Sequence, residues 1–372
     1  MNKNIFYNSL LVLFCLVNFK GYSQLQTLSG NGISITDLDA FITKQKDSLG
    51  LPGLSFALIN NGKVVYHRSL GISNMETKKK VDAKSIFEAA SLSKTVFAYF
   101  VLRLVDKKVL DLDTPLYRYL PYQDIEKDER YKLITARMVL SHTTGFPNWR
   151  YSDKRDESRY KYGELYLKFT PGTEFAYSGE GYVYLTKVIA QLSNLTVQTL
   201  DPLFQKEVAE PLHMKRAWFS SAKYITKHKV KGHANGKVVS KAWPIAFPEQ
   251  DSTWFDAAGG LHTEAIAFSD FLIGLMNGEG LSKSLNDEMF KEQVQLDKSS
   301  PHYIYNGDTG WGLGIAIKPT DFGIIYEHGG NNGDFQSGFK INKSNRNGYV
   351  LFTNCDQGRT FNQNIGALLL KK

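Results

Sequence analysis

The amino-acid sequence predicts an α+β fold in which one antiparallel sheet is built from both ends of the chain. Strand-like apolar segments occur at residues 54–68 and return at residues 310–354. Between about residues 87 and 280, the apolar side chains recur at helical spacing instead. This order predicts a sheet drawn from about residues 24–86 and 281–372, with a helical insertion at about 87–280 between them.

Composition limits both the fold and the partners. The 372 residues are 42% apolar and 22% charged, which is a globular composition and excludes long disorder or a collagen-like chain. The two cysteines make no disulfide framework, and no cysteine or histidine pair has metal-ligand spacing. No glycine-rich phosphate loop follows a strand, so we do not expect a nucleotide enzyme. From the missing phosphate loop and the missing metal-ligand spacing together, we expect no metal and no cofactor. A formal net charge of +8 is a mild excess for this length and does not by itself indicate a nucleic-acid partner.

The N-terminal segment has the pattern of a secretory signal peptide at residues 1–23. An apolar run at Leu10–Val17 is too short to span a bilayer, which needs about 20 residues. Gly21 and Ser23 are small residues at the −3 and −1 positions of a cleavage site before Gln24. We therefore expect an exported protein, periplasmic or secreted, with no transmembrane span after cleavage. The alternative is that this segment is retained as an anchor.

The secondary-structure elements follow from local patterns. Asn61-Gly62 between two strand-like runs is a strong β-hairpin signal. Thr77–Lys80 is a charge run typical of a solvated loop, and Lys343–Gly348 indicates a turn. The predicted helices are Asp37–Leu49 and Asn362–Leu370, and the predicted strands are Leu54–Asn60, Lys63–Arg68, Gly310–Lys318, Gly323–His328, Gly338–Asn342 and Tyr349–Asn354.

A serine and a lysine three residues apart, Ser91 and Lys94, open a strongly apolar helix. Residues at i and i+3 share one helix face, so both side chains are expected at the polar end of a core helix. A serine nucleophile needs a base, and a lysine can serve where burial or a neighbouring cation lowers its pKa. The same spacing also suits a serine N-cap followed by a lysine, so it does not by itself decide between catalysis and capping.

Further motifs follow this pair in order, and together they resemble the serine β-lactamase and penicillin-binding protein superfamily. The resemblance is narrower to the class C β-lactamase-related group, which includes DD-carboxypeptidases, D-aminopeptidases and β-lactamase-like carboxylesterases. It covers roughly residues 38–354 and implies a β-lactamase/transpeptidase-like fold. The matching segments are Ser91–Lys94, Leu110–Pro115, Tyr119–Pro121, Ile134–Pro147, Pro171–Gly179, Ala258–Leu261, Gly310–Gly314 and His328–Gly330.

The resemblance implies a role for each site residue. Ser91 would attack the acyl carbonyl and form an acyl-enzyme, with Lys94 and Tyr177 as the proton-transfer pair. A tyrosine beside a lysine cation could hold a depressed pKa, and which of the two is the base stays open. The backbone N–H groups of Ser91 and Asn331 would form the oxyanion hole. The implied substrate-binding strand comprises His328, Gly329, Gly330 and Asn331.

Two positions depart from the family pattern. Gly179 replaces the asparagine of the Tyr-x-Asn motif, so the side-chain amide that would hold a substrate amide is missing. His328 replaces a lysine, and histidine is largely neutral at pH 7. Both changes weaken the case for an efficient β-lactamase and favour esters or small amides. His142 belongs to a motif that is structural in the family, so we expect a buried, satisfied imidazole there.

The first functional hypothesis is an exported serine hydrolase that forms an acyl-enzyme at Ser91 and cleaves an ester or amide bond, of the esterase or D-amino-acid peptidase type. A class C-like β-lactamase or a penicillin-binding protein is the alternative within the family. The third hypothesis is a non-catalytic binding module, against which the intact Ser91, Lys94 and Tyr177 argue. The expected partner is a small-molecule ester, peptide or β-lactam-like substrate, with cell-wall peptide as one candidate.

Overall fold

The computed structural model describes residues 24–154, 158–241 and 250–371, so the expected signal peptide at residues 1–23 lies outside the described residues. The described strands are short at the periphery and long at the centre of the main sheet. They are β1 Leu25–Gln26, β2 Gly32–Ile33, β3 Gly53–Asn60, β4 Lys63–Asn74, β5 Lys79–Lys80, β6 Phe87–Glu88, β7 His233–Ala234, β8 Lys237–Val238, β9 His262–Thr263, β10 Val294–Gln295, β11 Gly310–Trp311, β12 Ala316–Thr320, β13 Gly323–Asn331, β14 Gln336–Asn342 and β15 Asn347–Thr353.

The helices lie mostly between the two groups of sheet strands. They are α1 Ile35–Ser48, α2 Ser93–Asp106, α3 Ala136–Leu140, α4 Gly179–Leu192, α5 Asp201–Phe204, α6 Lys223–His228, α7 Ala265–Asn277, α8 Lys283–Phe290, α9 Pro301–Asn306 and α10 Gly358–Leu369. A 3-10 turn at Ala90–Leu92 leads into α2. In the part of the chain that the structure describes, none of the helices combines the length and hydropathy needed to cross a membrane.

An antiparallel sheet is the centre of the fold. Among the described residues it has nine strands, in the order β10-β11-β12-β13-β14-β15-β3-β4-β5. Strand β15, near the C-terminus, pairs with β3, near the N-terminus, with Tyr349 opposite Leu58. The two ends of the chain therefore meet inside one sheet, which confirms the predicted α+β class.

Both faces of this sheet are covered by helices. Residues alternate between faces along a strand, so Phe56 and Leu58 of β3 enter one core while Ala57 and Ile59 enter the other, and all four are fully buried. Helices α1 and α10 contribute to the first core, and α2 and α7 contribute to the second. Burial on both faces explains why this strand is a continuous apolar run rather than an alternating one.

Helix α2 runs through the larger core. Every residue from Ser93 to Leu102 is buried, and the side chains around it come from α4, α5 and α7. A helix that is covered on all sides is held rigidly by its packing. The serine-lysine pair lies at the N-terminus of this helix, so a rigid scaffold positions the candidate chemistry.

Two segments differ from the prediction. The single strand expected at Gly310–Lys318 is divided by a turn between β11 and β12. Gly314 in that turn has φ +74°, and a Cβ there would lie 2.5 Å from the Cβ of Ala98 on α2, so only glycine allows the turn to pack on the helix. The charge run at Thr77–Lys80 is only partly a loop, because Lys79–Lys80 form the exposed edge strand β5.

Candidate active site

The candidate nucleophile lies on a tight turn between a strand and a buried helix. Strand β6 ends at Glu88, the 3-10 turn covers Ala90–Leu92, and α2 begins at Ser93. Ala90 has φ +48°, in the left-handed region that alanine rarely adopts. This turn leaves Ser91 half-buried at the wall of a cleft while the residues on either side of it are fully buried.

Lys94 is buried one turn along α2, with 1% of its surface exposed. Its Nζ lies 3.5 Å from Ser91 Oγ and donates a 2.7 Å hydrogen bond to the carbonyl oxygen of Ala258. Burial lowers the pKa of Lys94 from 10.5 to about 7, and the nearby carboxyl group of Asp256 opposes part of that shift. An amine with this pKa can accept a proton near neutral pH, which an ordinary lysine cannot.

Tyr177 brings a hydroxyl group to the same point. Lys94 Nζ lies 4.8 Å from the centre of the Tyr177 ring, and the hydroxyl group lies near Ser91. Burial raises the pKa of Tyr177 well above its usual value, and the interaction with Ser91 offsets this only in part. The depressed pKa expected for Tyr177 is therefore wrong, because burial keeps the phenol protonated and makes Lys94 the group with the lowered pKa.

Strand β13 packs against the nucleophile turn. A Cβ at Gly330 would lie 2.6 Å from the carbonyl oxygen of Ala89 and 3.0 Å from the Cβ of Ala90, so only glycine permits this approach. Ser91 follows Ala90, and Asn331 follows Gly330. The contact therefore brings together the two residues whose backbone N–H groups are expected to form the oxyanion hole.

The outer edge of β13 is open toward the cleft. Its pairing with β12 ends at Glu327, so from His328 onward no strand of the described residues covers that side. The N–H of Asn332 donates a 2.9 Å hydrogen bond to the carbonyl oxygen of Phe335, which closes the hairpin with β14. Because backbone groups alternate in direction along an antiparallel pair, the N–H of Asn331 points to the open edge. It can therefore donate to an oxyanion in the cleft.

His328 carries no positive charge. It is 4% exposed, and its Nδ1–H donates a 2.7 Å hydrogen bond to the carbonyl oxygen of Gly329, which fixes the tautomer. Burial, together with repulsion from Lys94, lowers the pKa of His328 to about 3. The position that holds a lysine in the family pattern is thus electrically neutral here.

His142 lies behind Tyr177, with 4.3 Å between the two ring centres. It is fully buried, its Nδ1 accepts a 3.1 Å hydrogen bond from the N–H of Ser178, and burial holds its pKa well below the usual value. Its Nε2 has no hydrogen-bond partner among the described residues, so the imidazole is only half satisfied. These contacts indicate that His142 supports the Tyr177 ring and does not exchange protons.

The structure brings the predicted site residues together around one cleft of about 660 Å³. Lys94 lies buried behind its wall. Across the described ranges, no group of three or more histidine, cysteine, aspartate or glutamate side chains is arranged to hold a metal ion. The predicted residues that line the cleft directly are Ser91, Tyr177, His328, Gly329, Gly330 and Asn331.

Three further residues belong to the site but were not predicted. Asp256 is buried beside Lys94, and Asn148 lines the cleft. His302 of α9 also lines it, with its ring centre 5.6 Å from that of Tyr177. Asp256 and Asn148 adjoin recognised motifs, and that proximity is a usable signal. His302 has no such signal, because only the tertiary structure brings α9 to the cleft.

Comparison with known sequences identifies the family. A family model described as Beta-lactamase matches residues 38–371. Protein flp of Staphylococcus aureus strain COL is 23% identical over 326 residues, which cover 85% of this chain and 62% of that protein. Esterase EstB of Burkholderia gladioli is 28% identical over 205 residues, which cover 50% of this chain and 51% of that protein. The chain thus spans less than two thirds of the length of these relatives.

Solved structures share the fold. The octameric penicillin-binding protein homologue from Pyrococcus abyssi superposes with a TM-score of 0.75 at 21% identity, covering 91% of this chain and 78% of that one. The D-amino acid amidase from Ochrobactrum anthropi SV3 superposes with a TM-score of 0.69 at 20% identity, covering 90% of this chain and 97% of that one. These matches confirm the β-lactamase/transpeptidase-like fold. Because the family model extends over most of its length, the chain belongs to the Beta-lactamase family.

Proposed function

We propose that the chain is a serine hydrolase that forms an acyl-enzyme at Ser91 and cleaves an ester or a small amide. The cluster of Ser91, Lys94 and Tyr177 at the cleft, with the pKa of Lys94 lowered to about 7, carries this conclusion. Burying a lysine without a carboxylate hydrogen-bonded to it costs stability, which a purely binding role would not require. The members of the Beta-lactamase family are mostly serine hydrolases, which supports the same function.

Acylation begins with neutral Lys94 as the base. Lys94 Nζ takes the proton of Ser91 while Oγ forms a bond to the substrate carbonyl carbon, and the carbonyl electron pair moves onto oxygen. The N–H groups of Ser91 and Asn331 hold that oxyanion. When the intermediate collapses, the bond to the leaving group breaks and the leaving group takes the proton of the Tyr177 hydroxyl. Tyr177 recovers its proton from the Lys94 ammonium, so both groups return to their starting states.

Deacylation repeats these steps with water. Lys94, neutral again, takes a proton from a water molecule that attacks the acyl carbonyl carbon. The bond to Ser91 Oγ breaks, and Ser91 regains a proton through Tyr177. The acid product leaves the cleft, and the enzyme is restored.

The proposed substrate class follows from the two positions that depart from the family pattern, His328 and Gly179. A neutral His328 provides no fixed charge for a substrate carboxylate, and Gly179 provides no side-chain amide. Both features favour an ester or a small amide over a β-lactam. The names of two similar proteins, an esterase and a D-amino acid amidase, support the esterase or D-amino-acid peptidase type.

A substrate screen tests this function. Short p-nitrophenyl esters, D-Ala-D-Ala peptides and a cephalosporin are each incubated with the wild type and with Ser91→Ala. We expect turnover of an ester or amide that falls by at least about 10³-fold in Ser91→Ala, because Ser91, Lys94 and Tyr177 act as a unit. Turnover that persists in Ser91→Ala would contradict a serine mechanism. Preferential turnover of the cephalosporin would overturn the substrate class.

We also propose that residues 1–23 direct export. Leu10–Val17 and the small residues before Gln24 support it. N-terminal sequencing of the protein recovered from the periplasm or medium should begin at Gln24. Recovery of the uncleaved chain in the membrane fraction would instead indicate an anchor.

A further inference from the structure

A fully buried carboxylate lies directly behind the nucleophile turn and takes no part in the proposed proton transfers. Glu88 ends β6, three residues before Ser91, and none of its surface is exposed. Its Oε1 accepts a 2.8 Å hydrogen bond from Lys229 Nζ, and its Oε2 accepts a 3.3 Å hydrogen bond from Lys241 Nζ. Removing a carboxylate from water is costly even when it is paired, and apolar side chains of similar volume often stabilise a fold as well or better.

Glu88 is nevertheless ionised. Burial alone would raise its pKa, but the ammonium groups of Lys229 and Lys241 contribute to an opposing effect that outweighs burial and holds the pKa below its usual value. Lys241 also forms an ion pair with the buried carboxylate of Asp334. Two ammonium groups and two carboxylates therefore balance in charge, and Glu88 keeps its negative charge at neutral pH.

A further partner of Glu88 belongs to the tip of the hairpin between β13 and β14. Asn332 Nδ2 donates a 2.7 Å hydrogen bond to Glu88 Oε2, and Asn332 directly follows Asn331 of the expected oxyanion hole. Bonds within the hairpin fix its shape but not its distance from Ser91. The contact at Gly330 limits how closely β13 approaches the nucleophile turn, and the charge-assisted bond from Asn332 draws the tip toward the same turn.

The same amide reaches the segment that holds the proposed base. Asn332 Nδ2 also donates a 3.3 Å hydrogen bond to the carbonyl oxygen of Gly259. Gly259 follows Ala258, whose carbonyl oxygen accepts the 2.7 Å hydrogen bond from Lys94 Nζ. Through Asn332, Glu88 is therefore connected both to the hairpin of the oxyanion hole and to the backbone that orients the lysine.

We propose that Glu88 is a positioning residue that, through Asn332, holds the backbone N–H of Asn331 at the distance from Ser91 that an oxyanion requires. The inference rests on the proposed serine hydrolase function, since an oxyanion forms only when Ser91 attacks a carbonyl group. Because it is fully buried, Glu88 touches neither the substrate nor the reacting atoms. Its loss should therefore weaken the stabilisation of the oxyanion without removing any group that reacts.

Replacing the carbonyl oxygen of the substrate by sulfur tests this role. Sulfur is larger than oxygen and a weak hydrogen-bond acceptor, so an oxyanion hole favours an ester over the matched thionoester. The measurement is the ratio of kcat/KM for p-nitrophenyl acetate to that for its thionoester, in the wild type and in Glu88→Gln, which keeps the shape of the side chain and removes its charge. We expect this ratio to fall at least about tenfold in Glu88→Gln. An unchanged ratio would overturn the inference.

The wild-type ratio has its own reference, which is the ratio of the two rate constants for hydrolysis by hydroxide without enzyme. We expect the wild type to favour the ester more strongly than hydroxide does, because hydroxide provides no oxyanion hole. A wild-type ratio no larger than that of hydroxide would refute the oxyanion hole, and the positioning role of Glu88 with it.

A matched variant separates positioning from the loss of a buried charge. Glu207 is also a buried carboxylate, and it pairs with Lys107 and Arg103 near the C-terminal end of α2, away from the cleft. Glu207→Gln should lower the Tm, as Glu88→Gln does, but keep the wild-type ratio. An equal fall of the ratio in both variants would overturn the inference, because general destabilisation would then explain it.

Two further measurements keep the possible failures distinct. Asn332→Ala removes the link between Glu88 and the hairpin, and it is the second variant in case Glu88→Gln does not fold; the same fall in the ratio is expected. Labelling of Ser91 by a fluorophosphonate probe reports the nucleophile independently of the ester and thionoester. Labelling with an unchanged ratio refutes the positioning role alone, whereas no labelling of the folded wild type refutes the serine hydrolase function itself.

Discussion

Replacing Lys94 by methionine is expected to abolish activity and to change how the stability of the protein depends on pH. Methionine has a similar length and no charge, so it suits the 1% exposed site on α2. In the wild type, the pKa of Lys94 is about 7 in the folded protein against 10.5 ordinarily. Folding at neutral pH therefore requires the amine to give up part of its protonation, which destabilises the folded state.

The magnitude follows from the linkage between proton binding and folding. Between pH 7 and pH 10.5 the unfolded chain binds more protons at Lys94 than the folded chain does, so the free energy of unfolding rises with pH across this window. From pH 7 to pH 9 this rise is about 2 kcal/mol. Lys94→Met binds no proton at this position in either state and lacks that contribution.

Urea unfolding of both proteins at pH 7 and pH 9 measures the effect. The difference in unfolding free energy between Lys94→Met and the wild type should shift by about 2 kcal/mol in favour of the wild type on going to pH 9. The hydrogen bond from Lys94 to Ala258 is lost in Lys94→Met, but it adds no separate term to this shift. The part of that bond that depends on the charge of the amine is already contained in the pKa of the folded state, and the remainder is the same at both pH values. Ser91→Ala retains the lysine and should follow the wild type. A difference that is the same at both pH values would refute the lowered pKa and the assignment of Lys94 as the base.

Catalysis should show the same ionisation, since kcat/KM for a neutral p-nitrophenyl ester should rise with pH through about 7. The arginine of Lys94→Arg stays protonated, so kcat/KM of this variant should be about 10²–10⁴-fold lower than that of the wild type. A wild-type pH profile of kcat/KM without the rise through about 7 would contradict the assignment of Lys94 as the base. His328→Lys adds a charge and should raise kcat/KM for a cephalosporin about tenfold relative to the neutral ester, and an unchanged ratio would count against the electrostatic explanation. Gly330→Ala should lower the unfolding free energy by about 1–3 kcal/mol, because its methyl group would meet the carbonyl oxygen of Ala89 at 2.6 Å. The methyl group of Gly329→Ala would meet nothing within 4 Å, so this variant should unfold like the wild type. Equal losses of unfolding free energy in both variants would refute the close packing of Gly330 on the nucleophile turn.

Much of the fold was predictable because its signals are local. The Asn61-Gly62 turn marks the hairpin of β3 and β4, and the apolar runs at the C-terminus correspond to β13, β14 and β15. The division of the strand expected at Gly310–Lys318 was not predictable, since it depends on Gly314 packing against α2. That contact joins residues more than 200 positions apart, and no local pattern reports it.

The candidate site also combines features that local motifs predict with features that depend on the tertiary structure. Ser91, Lys94 and Tyr177 follow from motifs, and the structure places them together. Which of them has the lowered pKa depends on burial, because the same core that lowers the pKa of Lys94 raises that of Tyr177. The ring of Trp149 lies 2.3 Å from the position that a Cβ of residue 179 would take, so it fills the space of a side chain there. These two residues are 30 positions apart in the chain, so the sequence shows only that an amide is missing.

The acyl-enzyme at Ser91 is the central claim, and covalent labelling tests it most directly. The folded wild type and Ser91→Ala are treated with a fluorophosphonate probe, digested, and the labelled peptide is mapped by mass spectrometry. We predict one label per chain, located on Ser91, and none in Ser91→Ala. An unlabelled Ser91 in a folded preparation, or a label on a different residue, would contradict the mechanism.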